Sequence, residues 1–170
     1  TYCEPFLGSG AIWSNLNPKI AIVSDKLQPL MDIWITLKNS PELLKQWYNE
    51  NYQQVIIDGK QVAYEKIKNT YNKNPNPKDL LFLCRSCYGG VVRFRKKDGY
   101  MSTPCGVHQP ILPENFYRRV DSWHKKTINT IFYCGDYRSF MNDAKAGDFI
   151  YCDPPYNNSQ TILYGSQMFS

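Results

Sequence analysis

Four short apolar runs punctuate the chain, and each ends in an acid: Tyr2-Cys3-Glu4, Lys19 to Val23 ending at Ser24-Asp25, Thr130 to Cys134 ending at Gly135-Asp136, and Phe149 to Cys152 ending at Asp153. Short β-rich runs bounded by turn residues read as strands. Between the first two lie Pro5-Phe6-Leu7-Gly8-Ser9-Gly10, a glycine loop, and Ala11 to Leu16, a short helix. A strand, a glycine loop, a helix and a second strand ending in an acid make half of a Rossmann-like unit. The last run, Asp148-Phe149-Ile150-Tyr151-Cys152, is entered through Ala146-Gly147 and is expected to be a buried strand.

The long interval between the second and third strands has a helical period. Leu27, Leu30, Met31, Trp34 and Leu37 share one helix face, and Ser40-Pro41-Glu42 starts a further helix with Ser as cap and Pro in the first turn. Asp58 to Tyr71 is expected to be helical with Val62, Ile67 and Tyr71 inward, Asn72 to Pro77 a polar break, and Lys78 to Cys87 another helix. These Trp and Leu stripes are most simply core. From Tyr88 the pattern changes. Val91-Val92-Arg93-Phe94-Arg95 alternates, Lys97-Asp98-Gly99 is a turn and Tyr100-Met101-Ser102 returns, the signature of a β-hairpin. Pro113 to Trp123 and Tyr137 to Asp143 read as helices. The fold class is therefore α/β, with a helical and β-hairpin insertion.

Composition sharpens this only in places. The formal net charge of +5 admits a polyanionic partner, and the basic residues bunch in Arg85 to Lys97 and Arg118 to Lys126 rather than spreading evenly. Six Cys at irregular spacing, with no apolar run long enough to cross a membrane, suggest free thiols, a reducing cytoplasmic setting and no membrane partner. No G-x-x-x-x-G-K-[ST] loop is present, which argues against nucleoside triphosphates.

The chemistry concentrates in Asp153-Pro154-Pro155-Tyr156. The turn leaves a strand where open α/β sheets bind their ligands. Its prolines have no N–H and a fixed φ, so the turn is stiff and its carbonyls are free to accept. A carboxylate, an outward carbonyl and a flat ring suit a planar group bearing an NH₂. Any one of these residues alone would be read as packing or solvated surface. Gly8 and Gly10 let the backbone approach a ligand, and Asp25 ends the next strand where a ribose diol would lie. If the sheet is parallel, the acids at positions 25, 136 and 153 converge on one edge.

These motifs, in the order Glu4-Pro5-Phe6-Leu7-Gly8-Ser9-Gly10, Ser24-Asp25, Gly135-Asp136-Tyr137 and Asp153-Pro154-Pro155-Tyr156, resemble the Dam-like family of DNA adenine-N6 methyltransferases. The likeness covers nearly the whole chain. It implies a Rossmann-like sheet using S-adenosylmethionine and releasing S-adenosylhomocysteine, with no metal. By position, Glu4, Pro5, Phe6, Gly8 and Gly10 would form the cofactor loop, with Phe6 and the two glycines along the methionine part. Asp25 would take the ribose hydroxyls, and Asp136 and Tyr137 would hold the cofactor's adenine. The catalytic turn would be Asp153 to Tyr156, with the Asp153 carboxylate and Pro154 carbonyl gripping the amine of an extruded adenine and Tyr156 stacking on it. Arg85, Tyr88, Gly90 and Arg93 match the family's residues around a DNA-entering hairpin. The match implies that Tyr88 wedges into the base stack and Arg93 reads a base edge. Arg95, Lys96 and Lys97 would contact phosphates. Gly89 stands where many relatives carry Asn, and Cys87 interrupts the local pattern, which leaves a GATC target open.

The resemblance divides the chain into a catalytic, cofactor-binding part at 1–40 and 127–170 and an inserted target-recognition part at 41–126. Both ends look cut. Relatives carry a Lys-Trp-x-Gly-Gly-Lys-like segment before the glycine loop and further strands after the catalytic turn, so this piece is expected to bind cofactor weakly by itself. The implied partner is double-stranded DNA, with a cognate restriction endonuclease as a further candidate and a bacterial or phage source. Two other activities stay open. One is methylation of RNA adenine or protein glutamine, where Asn more often replaces Asp153 and no basic hairpin is inserted. The other is a non-catalytic DNA-binding relative. A separate zinc-ribbon reading of Cys84-x2-Cys87 and Cys105-x2-His108 competes with core and surface roles for those residues.

Overall fold

The computed structural model describes residues 1–154, which fall into two compact units. One comprises Thr1–Pro41 and Arg118–Pro154, the other Glu42–Tyr117.

The first unit is built on a sheet of four parallel strands, β1 (Tyr2–Glu4), β2 (Ala21–Asp25), β3 (Thr130–Cys134) and β4 (Phe149–Ile150), in the order β3-β2-β1-β4. Tyr2, Ala21, Thr130 and Phe149 lie in one row of the register. Because side chains alternate along a strand, Ala21, Val23, Thr130 and Phe132 share a face, and all four are buried. Three of the four tryptophans pack beneath that face. Trp13 comes from α1 (Ala11–Leu16), Trp34 from α2 (Gln28–Asn39) and Trp123 from α6 (Pro113–Thr127). Trp34 stacks on Phe132 with ring centroids 5.8 Å apart, while Trp13 meets Phe132 edge-on at 5.4 Å. Such pairs add about 0.5–1.5 kcal/mol each beyond buried area. The Trp13 Nε1 donates to Thr130 Oγ1 at 2.9 Å, so the buried indole N–H is satisfied. On the opposite face Phe140, from α7 (Tyr137–Asn142), stacks on Tyr133 at 5.8 Å.

The expected buried strand at 148–152 is shorter and more exposed than its composition suggests. Only Phe149 and Ile150 are strand, and Phe149 is 62% exposed. The reason is position: among the described residues β4 is an edge strand, paired to β1 alone. Apolar character makes a residue eligible for burial but does not supply the neighbour that buries it.

The second unit holds α3 (Pro41–Asp58, from the unit boundary onward), α4 (Lys60–Lys73) and α5 (Pro77–Ser86). Its core includes Leu44, Tyr48, Tyr64, Ile67, Tyr71, Leu80, Phe82 and Leu83. Asp58 ends α3 instead of opening the next helix, because Gly59 at φ 80° breaks the run. Val62, expected inward, is half exposed. The buried stripe of α4 is set by Tyr64, Ile67 and Tyr71, and Val62 lies roughly 140° around the helix from Ile67. Asn76 caps α5, accepting from Asp79 N at 2.8 Å just before Pro77.

The hairpin is present, but its ladder is broken. Two isolated antiparallel bridges remain, Cys87 with Cys105 and Phe94 with Met101. Between them Thr103 Oγ1 accepts from Arg93 N at 2.8 Å and donates to Val91 O at 3.0 Å, substituting a side chain for backbone pairing. Gly89 and Gly90, at φ 65° and 67°, turn the chain out of strand geometry at its start.

Candidate active site

Parallel strands bring their C-terminal ends to one edge, and ligands of open α/β sheets bind there. The glycine loop leaves β1 at that edge. Leu7 N donates to Ser24 O at 2.9 Å, extending the β1–β2 pairing, and Gly10 N closes the turn on Leu7 O at 2.8 Å. Gly8 and Gly10 both have positive φ, 50° and 68°. They differ in their surroundings. A Cβ at Gly10 would lie 2.9 Å from the Trp34 ring, whereas one at Gly8 would meet nothing within 4 Å. Gly10 is thus required by packing beneath the loop, and open space lies over Gly8.

Asp25 tethers the loop from the next strand. Its Oδ2 accepts from Gly8 N at 3.0 Å and its Oδ1 from Leu27 N at 3.1 Å. The Lys26 N–H adds a third donor, which leaves the carboxylate about one further acceptor direction. Burial raises the Asp25 carboxyl above the usual range, and these backbone donors hold it back. Trp34 Nε1 donates to Gly8 O at 3.2 Å from below. Trp34 was expected as core alone, and a stripe of apolar residues carries no signal that an indole N–H reaches the loop.

Glu4 is 3% exposed. Its Oε2 accepts from Tyr2 OH at 2.7 Å and from Trp13 N at 3.2 Å. The second bond satisfies a donor in the first turn of α1, whose N-cap is a glycine with no side chain to do so. Burial pushes the Glu4 carboxyl up, the two hydrogen bonds oppose that shift, and the nearby charge of Asp153 adds to it. Pro5, also buried, follows directly.

Asp136 lies beyond the end of β3 and caps α7, its Oδ1 accepting from Arg138 N at 2.9 Å. Its other oxygen is 3.8 Å from Lys26 Nζ, an ion pair that links the ends of β2 and β3 and that no motif announced. Tyr137 and Phe6 meet across the edge with ring centroids 5.3 Å apart. Two residues assigned separately to the cofactor are therefore neighbours.

Asp153 and Pro154 follow β4 on the same side of the sheet. Tyr151 N donates to Cys3 O at 2.8 Å, carrying the β1 pairing one step beyond β4. Asp153 is exposed, and its charge acts on Glu4 at the end of β1. Pro155 and Tyr156 lie outside the described residues.

The residues expected to meet DNA belong to the second unit. Tyr88 is 59% exposed and starts a tight turn, with its N bonded to Pro104 O at 2.9 Å. Along the hairpin Val92 and Phe94 are half-buried while Arg93, Arg95, Lys96 and Lys97 face solvent. Arg95 is committed to an exposed fork with Asp98, at 3.1 and 2.7 Å, over the Tyr100 ring. The Arg85 guanidinium lies 5.8 Å from the Phe116 ring centroid. At Gly89 the φ of 65° is one that Asn also tolerates, so this departure from the resemblance costs no backbone conformation. Among the described residues, no group of three or more His, Cys, Asp or Glu is placed to hold a metal ion. No described helix is long and apolar enough to cross a membrane.

Comparison with known proteins agrees with this geometry. The chain is 29% identical over 171 residues to the type II methyltransferase M.MjaIII of Methanocaldococcus jannaschii, covering 91% of this chain and 58% of that protein. It is 27% identical to the DNA adenine methylase of Vibrio cholerae and 28% identical to that of Escherichia coli K12, covering 90% of this chain and 55% of each relative. The chain thus spans little more than half the length of these relatives. The model of the D12 class N6 adenine-specific DNA methyltransferases matches residues 1–170. The sheet is parallel, with a glycine loop leaving one strand and Asp153-Pro154 following another, and this chain belongs to the D12 class N6 adenine-specific DNA methyltransferase family.

Proposed function

We propose that the protein transfers a methyl group to the N6 amine of adenine in duplex DNA. The observation that carries this reading is the convergence, in a chain of this family, of the Glu4–Gly10 loop, Asp25, Asp136-Tyr137 and Asp153-Pro154 on one edge of a parallel sheet. The edge suits S-adenosylmethionine. Open space lies above Gly8, the Asp25 carboxylate retains acceptor capacity for a diol, and Phe6 and Tyr137 supply ring faces. When bound, that cofactor supplies an electrophilic methyl group.

The remaining chemistry belongs to the chain. An adenine amine is a poor nucleophile because its lone pair is delocalised into the ring. The Asp153 carboxylate and the Pro154 carbonyl accept hydrogen bonds from it, drawing nitrogen toward tetrahedral geometry. As positive charge grows on nitrogen, the carboxylate stabilises it, and the proton leaves late. Tyr156 is assigned the task of stacking on the base. A base within a duplex cannot reach a sheet edge, so the target is flipped out of the stack. In this reading 41–126 is the target-recognition part and 1–40 with 127–170 the catalytic part. Tyr88 fills the gap in the stack, Arg93 reads a base edge, Lys96 and Lys97 meet phosphates, and Arg85 supports the turn. Arg95 joins the phosphate contacts once its fork with Asp98 opens.

The test supplies the full-length protein with labelled S-adenosylmethionine and, in parallel, duplex DNA, single-stranded DNA, tRNA and a protein extract. N6-methyladenine in the duplex is expected. Asp153→Asn is expected to slow transfer on the order of 10²–10³-fold while cofactor binding persists. Label in RNA or protein instead, or an unslowed variant, would overturn the reading.

A further inference from the structure

Cys87 and Cys105 face each other where the hairpin begins and ends. Their bridge is flanked on both sides by backbone bonds, Tyr88 N to Pro104 O at 2.9 Å and Gly106 N to Ser86 O at 2.8 Å. That pattern makes them a non-hydrogen-bonded antiparallel pair, the closer of the two kinds, with Cα atoms about 4.5 Å apart and side chains on one face. A disulfide needs Cα atoms about 4.4–6.8 Å apart. A glycine next door secures the approach: a Cβ at Gly106 would lie 2.9 Å from the carbonyl oxygens of Ser86 and Cys87.

The geometry points to a reversible disulfide between Cys87 and Cys105, a modification site that clasps the hairpin at its base. Both thiols are free; Cys87 Sγ makes a long contact to Cys84 O at 3.9 Å and lies beside the Gly90 N–H, and Cys105 Sγ contacts Gly106 O at 3.6 Å. Directly opposed side chains of such a pair have Cβ atoms about 4.5 Å apart, at the edge of the roughly 3.5–4.5 Å that a disulfide spans. The third neighbour, Cys84, sits one helical turn before Cys87 on α5, and desolvation pushes its thiol up to about 12, so it stays protonated. Cys105 is placed differently. It is half-buried where Cys87 is buried, so a small oxidant reaches it first; burial and Glu65 raise its thiol, and Lys60 and Lys68 oppose that shift. The oxidant is a low-molecular-weight disulfide such as oxidised glutathione. The Cys105 thiolate attacks it, releasing one small thiol and leaving a mixed disulfide. The Cys87 thiolate then attacks the Cys105 sulfur and expels the second small thiol. Two protein thiols are oxidised, one small disulfide is reduced, and the two protons pass to the departing thiolates. The closed loop encloses Tyr88, Arg93, Lys96 and Lys97, so oxidation restrains the whole exposed hairpin.

The experiment equilibrates the full chain in glutathione buffers of stepped redox ratio, traps thiols by alkylation and maps the peptides by mass spectrometry. A linked Cys87–Cys105 peptide that a reductant reverses is expected as the main product. Tryptic cleavage at Arg93, Lys96 and Lys97 is expected to slow several-fold in the oxidised protein. Cys105→Ser should abolish both effects and Cys84→Ser should leave both. Glutathione remaining on single cysteines, a Cys84–Cys87 link, or no oxidised product in fully oxidised buffer would each overturn the proposal. Neither readout involves DNA or methyl transfer, so the result stands apart from the proposed activity.

Discussion

Glu4 is a carboxyl group inside the protein with two hydrogen-bond donors and another acid nearby. Its folded-state pKa is raised, chiefly by burial, so the native state holds this proton more tightly than the unfolded chain does. The group's stabilising contribution is complete below the ordinary glutamate value of about 4.3 and is lost as pH rises through the folded value. Glu4→Gln keeps an acceptor for Tyr2 OH and Trp13 N but carries no charge. Its stability relative to the native protein is therefore expected to rise between pH 4.5 and pH 8, measured by urea unfolding at each pH. Parallel pH profiles would show that Glu4 does not titrate across this window. The same residue shows how far motif reading reaches. Glu4 was expected among the cofactor residues, and the structure gives it a task within the fold, because its carboxylate completes the first turn of α1.

At the scale of elements, the strand–loop–helix unit was legible because its signals are local. Glycines, a short apolar run and a terminal acid all act within a few residues. What sits under the loop was not. Gly10 faces Trp34, which comes from α2, and Gly10→Ala is expected to cost about 1–3 kcal/mol through the clash and the positive φ together. Thermal unfolding of the variant measures this cost, and an unchanged midpoint would mean the loop can yield. The hairpin teaches the same lesson from the other side. Its alternation and turn were visible, and its outward Arg93 and inward Phe94 agree with that alternation. Its loss of ladder follows from Thr103, whose hydroxyl takes bonds that backbone groups usually make. Likewise Val62 looked as apolar as its neighbours, and only the packing of Tyr64 and Ile67 set which face of α4 turned inward.

For the whole molecule, the formal charge of +5 and the exposed Lys96 and Lys97 bear on the proposed DNA partner through salt. Lys97→Ala is expected to weaken binding about equally for all duplex sequences and to make the salt dependence shallower by about one unit of slope. Arg93→Ala is expected to cost about 1–3 kcal/mol and to relax the preference at one base pair. Titrations at several salt concentrations with cognate and scrambled duplexes separate the two, and equal behaviour of both variants would remove the assigned reader.

Taken alone, the order of residues determined the class of fold, the glycine loop, the acids at four strand ends and the family, since each depends on backbone preferences and spacings confined to short stretches. The tertiary structure decided which groups meet. Trp34 reaches Gly8 across 26 positions and Trp13 reaches Thr130 across 117. It also decided that β4 lies at an edge among the described residues, that Lys26 pairs with Asp136, and that Cys87 faces Cys105. A hydrogen bond or a burial is a relation between distant segments, and its free energy exists only once packing has brought both partners together.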